Sequence, residues 1–331
     1  MNLLKELLID TYSGDYYVIV NTISSFLKEK TQAEVIIQEH GANKMNVIAK
    51  FGDPKLLINC HMDTVPPAGE WSYPPLQYTE TSSRIYGLGS ADTKGNIYCL
   101  LKAVEKECPK DLCLLFSTDE EKESSGSGVI FFLQSAFAKG MKYALVCEPT
   151  SLAFVDRHKG YYSFKVKVSS TPKHSSLTGS GPSENAIAKA ARIISKLDEA
   201  GYNIGSIKGD GMGNVISSQC EFKISIRTYD GPEKVKKMLE SHIKDVSSVE
   251  VEPCFYGLPL IGNNGSFPFS ITKTTEVNFW TEATLFSQAG INSLVFGAGN
   301  IKQAHAPNEY VEKEQLEIAQ LMFQKIIGEM L

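Results

Sequence analysis

Three short apolar runs, each breaking off into His, Asp or Glu, constrain this chain more than any other feature. Lys55–Cys60 (KLLINC) runs into His61-Met62-Asp63, Asp111–Ser117 (DLCLLFS) into Thr118-Asp119-Glu120-Glu121, and Lys142–Cys147 (KYALVC) into Glu148-Pro149-Thr150. Runs of this length suit buried strands. Between them Thr93–Glu107 and Gly128–Ala138 carry apolar residues at helical spacing. Strand and helix in alternation predict an α/β sheet with parallel strands. In such a sheet the reactive crevice lies beyond the carboxyl ends of the strands, which is where these polar residues fall. Ordinary surface acids scatter along helix faces instead.

The style changes near residue 157. Tyr161–Val168 (YYSFKVKV) and Cys220–Arg227 (CEFKISIR) alternate apolar and polar residues, as antiparallel strands with one wet face do. Glu184–Leu197 and Glu233–Lys244 have helical patterns. A helix over Thr281–Gln288, a strand over Ser293–Phe296 and a helix over Lys313–Met330 restore the α/β style. The expected layout is one α/β domain over 1–156 and 267–331, with a smaller α+β domain inserted over 157–266. A chain of 331 residues fits about two domains.

Composition excludes several classes. The longest apolar runs are of strand length, well short of the roughly 20 residues that span a bilayer, so no membrane partner is expected. The net charge of −5 argues against nucleic acid. The opening MNLLKELLID holds Lys5, Glu6 and Asp10 and reads as an amphipathic helix rather than a leader. Seven cysteines form no C-x-x-C pair, against a disulfide framework or a thiolate metal site. A cytoplasmic enzyme is the expectation.

Two histidines, His61 and His305, and several carboxylates suit zinc or a similar divalent ion. There are enough donors for two ions, with one carboxylate shared. Of the adjacent Glu120 and Glu121, one can bind metal while the other accepts a proton. Asp63, two residues from His61, shares its face if the strand continues, and would then hydrogen-bond the far imidazole nitrogen. Each residue alone has an ordinary explanation. His61 is a strand-end polar residue, Glu120-Glu121 a solvated loop, and Asp92 an N-cap. Gly87 and Gly89 match part of a dinucleotide fingerprint, but Asp92 replaces its last glycine and no clear strand feeds the segment. The conjunction at several strand ends is what carries weight.

Five segments in order, HMDTVP (61–66), GLGSADTKG (87–95), DEE (119–121), EPTS (148–151) and AHAPNEYV (304–311), resemble the M20 family of metallopeptidases and deacylases over nearly the whole chain. NFWTEA and GAGNIKQAHAPNEY resemble its acetylornithine deacetylase branch. The resemblance implies a zinc-peptidase-like α/β catalytic domain with an inserted ferredoxin-like α+β domain used for dimerisation. It implies two divalent ions, zinc or cobalt. Asp92 matches the bridging ligand, His61 and Glu148 the ligands of one ion, and Glu121 and His305 those of the other. Glu120 matches the general base and Asp63 the residue behind His61. In the insert, His174 matches a histidine that reaches a partner subunit's site, implying a homodimer. Asn214 and Arg227 match positions that hold the substrate's α-carboxylate. The implied reaction is removal of an N-acetyl group from an amino acid, acetylornithine foremost, in arginine biosynthesis. Acetylcitrulline, acetyl-lysine and succinyl-diaminopimelate deacylation, or dipeptide hydrolysis, are the alternatives. Departures from the family pattern are Ser225, two residues before Arg227, where Asp is common, Cys147 where Gly often precedes Glu-Pro-Thr, and Glu282 where many members have Asp. Glu276 and Glu282 are candidates to meet a cationic side chain.

Overall fold

A computed structural model describes residues 2–122, 127–179, 184–262, 267–271 and 273–329. Residue 266, the expected end of the insert, and Met330, the expected end of the last helix, lie outside the described residues. In chain order the first half holds α1 (Asn2–Leu7), α2 (Tyr17–Lys30), β1 (Glu34–Gly41), β2 (Lys44–Phe51), β3 (Leu56–His61), β4 (Thr79–Glu80), β5 (Arg84–Tyr86), α3 (Lys94–Glu107), β6 (Leu112–Ser117), α4 (Gly128–Gln134) and β7 (Tyr143–Val146). There follow β8 (Phe154–His158), β9 (Gly160–Ser169), α5 (Ala186–Glu199), β10 (Asn203–Gly209), β11 (Gln219–Thr228), α6 (Pro232–Ile243) and β12 (Val249–Gly257). The chain closes with β13 (Thr274–Val277), α7 (Ala283–Gln288), β14 (Asn292–Val295), β15 (Tyr310–Glu312) and α8 (Lys313–Glu329). No helix among the described residues is long and apolar enough to cross a membrane.

The chain forms two units, one of residues 1–157, 261–277 and 281–331, the other of 158–260 and 278–280. The first is built on an eight-stranded sheet of order β1-β2-β6-β3-β7-β14-β8-β13. β3, β6, β7 and β14 are parallel neighbours, as the apolar runs predict. The sheet as a whole is mixed, because β1 and β2 form an antiparallel hairpin and β2 pairs antiparallel with β6. Every residue of β3 and β6 is buried, which is why these strands read as apolar runs, broken within β3 only by the hydrogen-bonded Asn59. The core continues into Ile19, Ile23 and Leu27 of α2, Ile97, Leu101 and Val104 of α3, and Leu316, Phe323 and Ile327 of α8. Each such side chain contributes about 1.5–3 kcal/mol relative to exposure.

From β3 the chain crosses through α3 to β6 on one side, and β7 then lies on the other side of β3. Strand order therefore reverses around β3, the arrangement that opens a crevice at the strands' carboxyl ends. Register levels the three ends: His61 pairs with Ser117, and Asn59 with Val146. A small sheet, β15-β5-β4, supplies the strand ahead of Gly87. The sequence shows no clear strand there because β5 is three residues long and its central Ile85 alone is buried.

The second unit is a four-stranded antiparallel sheet of order β10-β11-β9-β12 with α5 and α6. Tyr162, Phe164, Val166 and Val168 of β9 and Cys220, Phe222, Ile224 and Ile226 of β11 pack with Ala190, Ile193 and Leu197 of α5 and Val235 and Leu239 of α6. The period of two in YYSFKVKV and CEFKISIR is this buried face.

Candidate metal centre

At the end of β3, His61 is 2% exposed. Its Nδ1 lies 2.9 Å from the main-chain oxygen of Asp63, which fixes the ring proton at Nδ1. The other nitrogen, Nε2, faces Asp92 Oδ1 at 3.1 Å. Asp92 sits on the turn between β5 and α3, and its peptide bond to Thr93 is cis. Asp92 Oδ2 faces His305 Nε2 at 3.5 Å. His305 Nε2 also lies 2.9 Å from Glu121 Oε1. One carboxylate thus presents each of its oxygens to a different imidazole.

Candidate ligand atoms within 4.8 Å of one another form three sets: His61, Asp92 and Glu148; Asp92, Glu121 and His305; and His61, Glu120 and Glu121. The donors are nitrogen and oxygen, with no thiolate, and suit zinc, cobalt or manganese. Glu148 is 5% exposed, and its buried Oε1 has no hydrogen-bond partner among the described residues. A buried, unpaired carboxylate oxygen beside three further carboxylates is costly without a cation. The residues present therefore fit divalent ions.

Proton affinities reflect the same crowding. Burial raises the Glu120 carboxyl well above its usual range, and the charge of Glu121 adds to it. Burial and then Asp92 do the same to Glu148. Burial opposes protonation of His305, but hydrogen bonds to Asp92 and Glu121 win and raise it to about 11. Ions entering here would displace protons.

Asp63 differs from the expectation. Its carboxylate is 3.8 Å from His61 Nδ1, and it accepts the N–H groups of Glu120 at 3.3 Å and Glu121 at 3.1 Å. β3 ends at His61, so strand alternation does not extend to residue 63. Asp63 acts on the imidazole through its backbone and on the Glu120-Glu121 turn through its side chain. That turn has a second anchor. Asp119, fully buried at φ +64°, accepts the Tyr16 hydroxyl at 2.8 Å and pairs with Lys44 and Lys122. Tyr16 and Lys44 escape sequence reading because the contact with Tyr16 spans 103 residues.

Glu282 is 1% exposed and accepts the hydroxyls of Ser117, at 3.0 Å, and Ser127. It braces the two ends of the loop that carries Glu120 and Glu121, so burial removes it as a contact for a substrate side chain. Glu276 is exposed on β13.

The remaining candidates lie in the second unit. The His174 and Asn214 segments meet: His174 bridges Val215, and the Ser175 N–H donates to the Asn214 oxygen at 2.9 Å. His174 is exposed, and its Nδ1 accepts the Ser176 N–H at 3.2 Å. Arg227 lies elsewhere. It sits near the far end of β11, its guanidinium 4.6 Å from the Tyr161 ring centre. The Asn214 loop joins β11 at Gln219, and eight residues of strand separate Gln219 from Arg227 by about 27 Å. Within one chain Asn214 and Arg227 do not meet one carboxylate.

This fold, with acidic and imidazole side chains grouped for metal binding at the carboxyl edge of its central sheet, defines a metallohydrolase. The chain belongs to peptidase family M20/M25/M40, whose sequence profile matches residues 57–329. It is 30% identical to an acetylornithine deacetylase of Aliivibrio fischeri (strain MJ11), over 88% of this chain and 86% of that protein. It is 30% identical to an N-acetyl-L-citrulline deacetylase of Xanthomonas campestris pv. campestris, over 86% of this chain and 84% of that one. The fold is similar to that of human carnosine dipeptidase 1, with a TM-score of 0.76 at 16% identity, covering 99% and 94% of the two chains.

Proposed function

We propose that this chain removes the acetyl group from the α-nitrogen of an N-acetyl amino acid, N-acetyl-L-ornithine foremost, releasing acetate and the free amino acid. The observation that carries the hydrolytic reading is Asp92, with one oxygen toward His61 and the other toward His305. In this reading His61, Asp92 and Glu148 would hold one divalent ion and Asp92, Glu121 and His305 a second, zinc or alternatively cobalt, with Asp92 common to both sets. When bound, such ions supply Lewis acidity toward the acyl oxygen and toward a water. Glu120 takes a proton from the attacking water as its oxygen joins the acyl carbon. The amide C–N bond then breaks, and Glu120 returns the proton to the leaving nitrogen. Asp63 holds Glu120 and Glu121 in place by their N–H groups. Glu120→Ala is expected to keep its metal and lose about 10²- to 10⁴-fold in kcat. Near-normal turnover would make the assigned base wrong.

The acetylornithine deacetylase relatives support ornithine as the product; arginine biosynthesis in the cytoplasm is the setting we propose for that reaction. N-acetyl-L-citrulline is the second reading, since the citrulline relative is equally identical. Steady-state kinetics on a panel of N-acetyl amino acids, succinyl-diaminopimelate and dipeptides after metal reconstitution separates these. Equal activity on uncharged side chains would sink the ornithine assignment.

The separation of Asn214 from Arg227 supports a homodimer, with one chain contributing His174 and Asn214 to a site and the other Arg227. Exposed Leu177, Ile207 and Met212 and the edge strand β10 offer a self-pairing surface. Mixing Glu120→Ala with His174→Ala chains is expected to restore about a quarter of wild-type activity, because half of randomly paired dimers then hold one intact site. No restoration would refute the shared site.

A further inference from the structure

The segment Ala304–Val311 carries one conspicuous group that the reaction above does not use. Glu309 is 2% exposed. Its Oε2 accepts the N–H of Gly89 at 2.9 Å, and its Oε1 accepts those of Ala91 at 2.9 Å and Asp92 at 3.0 Å. Its main-chain oxygen accepts the Gly87 N–H at 3.1 Å. Four N–H groups of the 87–92 turn thus converge on one residue, and three of them form a nest around a carboxylate. The same short segment holds His305, and Asn308 Oδ1 pins it to Ser72 N–H at 2.7 Å and Tyr73 N–H at 3.1 Å. Beneath the turn the buried Lys94 donates to the Ile9 oxygen at 2.6 Å, and its own N–H bonds Gly89 oxygen at 2.8 Å.

We propose that Glu309 is a positioning residue for the metal centre: its carboxylate sets the Asp92 turn in register with the His305 segment before any ion binds. The inference rests on Asp92 being the shared ligand. A buried carboxylate with three N–H donors is satisfied, and the turn it holds fixes the direction of the Asp92 side chain. Neither close substitute reproduces this. Gln can keep one oxygen on the Ala91 and Asp92 N–H groups only by turning its NH₂ group against that of Gly89, and it lacks the charge. Asp keeps the charge but falls short by about 1.5 Å, one methylene.

The test compares metal-free wild type, Glu309→Gln and Glu309→Asp, titrated with Co²⁺ and followed by calorimetry and the visible cobalt spectrum. Both variants are expected to bind at least tenfold more weakly and to show altered cobalt bands, because both lose the nest. Wild-type affinity and spectrum in Glu309→Asp would overturn positioning in favour of charge alone, and in both variants would overturn any role. A wild type that binds no Co²⁺ refutes the metal reading instead. Amide hydrogen exchange on metal-free wild type decides independently if the variants do not fold. The amides of Gly89, Ala91 and Asp92 are expected to be protected at least tenfold relative to free loop amides. Exchange at the free-loop rate without metal would refute the preset turn.

Discussion

Replacing Glu282 with glutamine tests whether the loop carrying Glu120 and Glu121 is braced by a buried, protonatable carboxyl. Burial, outweighing the hydrogen bonds from Ser127 and Ser117 and the attraction of His61, raises this carboxyl from 4.5 to about 7. A group whose folded pKa is raised contributes stability that is fully present below its unfolded pKa and is lost as pH rises through the folded one. The window is therefore pH 4.5 to 7, and between pH 5 and pH 8 the loss amounts to about 2.5 kcal/mol. Glu282→Gln removes the titration. Its oxygen accepts from one serine hydroxyl and its NH₂ donates to the other, so the pH-independent cost is expected to stay near 1 kcal/mol. Urea unfolding of both metal-free proteins at pH 5, 6, 7 and 8 measures the difference, in which other titrating groups cancel. The variant should gain about 2–3 kcal/mol on wild type between pH 5 and pH 8. Parallel stability curves would refute the reasoning.

Two further substitutions probe other parts of the fold. His158 is fully buried, and burial lowers its pKa to about 4 despite a hydrogen bond to the Lys159 oxygen. Its stability contribution is present above pH 6.5 and lost as pH falls through 4, so at pH 5 wild type should have lost about 2 kcal/mol relative to His158→Gln; urea midpoints that stay parallel from pH 7 to pH 5 would contradict this. A Cβ at Gly297 would lie 2.5 Å from the Glu148 main-chain oxygen and 2.7 Å from Asn96 Oδ1. Gly297→Ala is therefore expected to cost about 1–3 kcal/mol and to weaken metal uptake through Glu148, whereas an unchanged urea midpoint would show that the strand ends shift freely.

Much of the catalytic unit is legible locally. DLCLLFS and KYALVC are apolar through their strands, and KLLINC is broken only by the buried, hydrogen-bonded Asn59, because these strands are covered on both faces; the polar residue that ends each run marks the sheet edge. The insert's strands are legible for the opposite reason: one face is wet, so YYSFKVKV alternates. The β1–β2 hairpin is less legible, since no residue of Glu34–Gly41 is fully buried and the half-buried face from Ile36 onward carries Gln38 and His40. Asp63 shows a local rule failing at a boundary, because alternation holds only while the strand continues.

Residue types and their order along the chain thus determine the alternation of elements, the donor chemistry, and the placement of His, Asp and Glu at strand ends. These are properties of neighbours in sequence, set by backbone periodicity and by which side chains avoid water. Tertiary structure alone decides which oxygen of Asp92 faces which histidine, that Glu309 reaches back across more than 200 residues to the Asp92 turn, and that Tyr16 and Lys44 anchor Asp119. It also decides that Asn214 and Arg227 lie a strand's length apart. Such contacts depend on chain closure between distant segments, and neither hydrophobic period nor motif spacing encodes a distance across a fold.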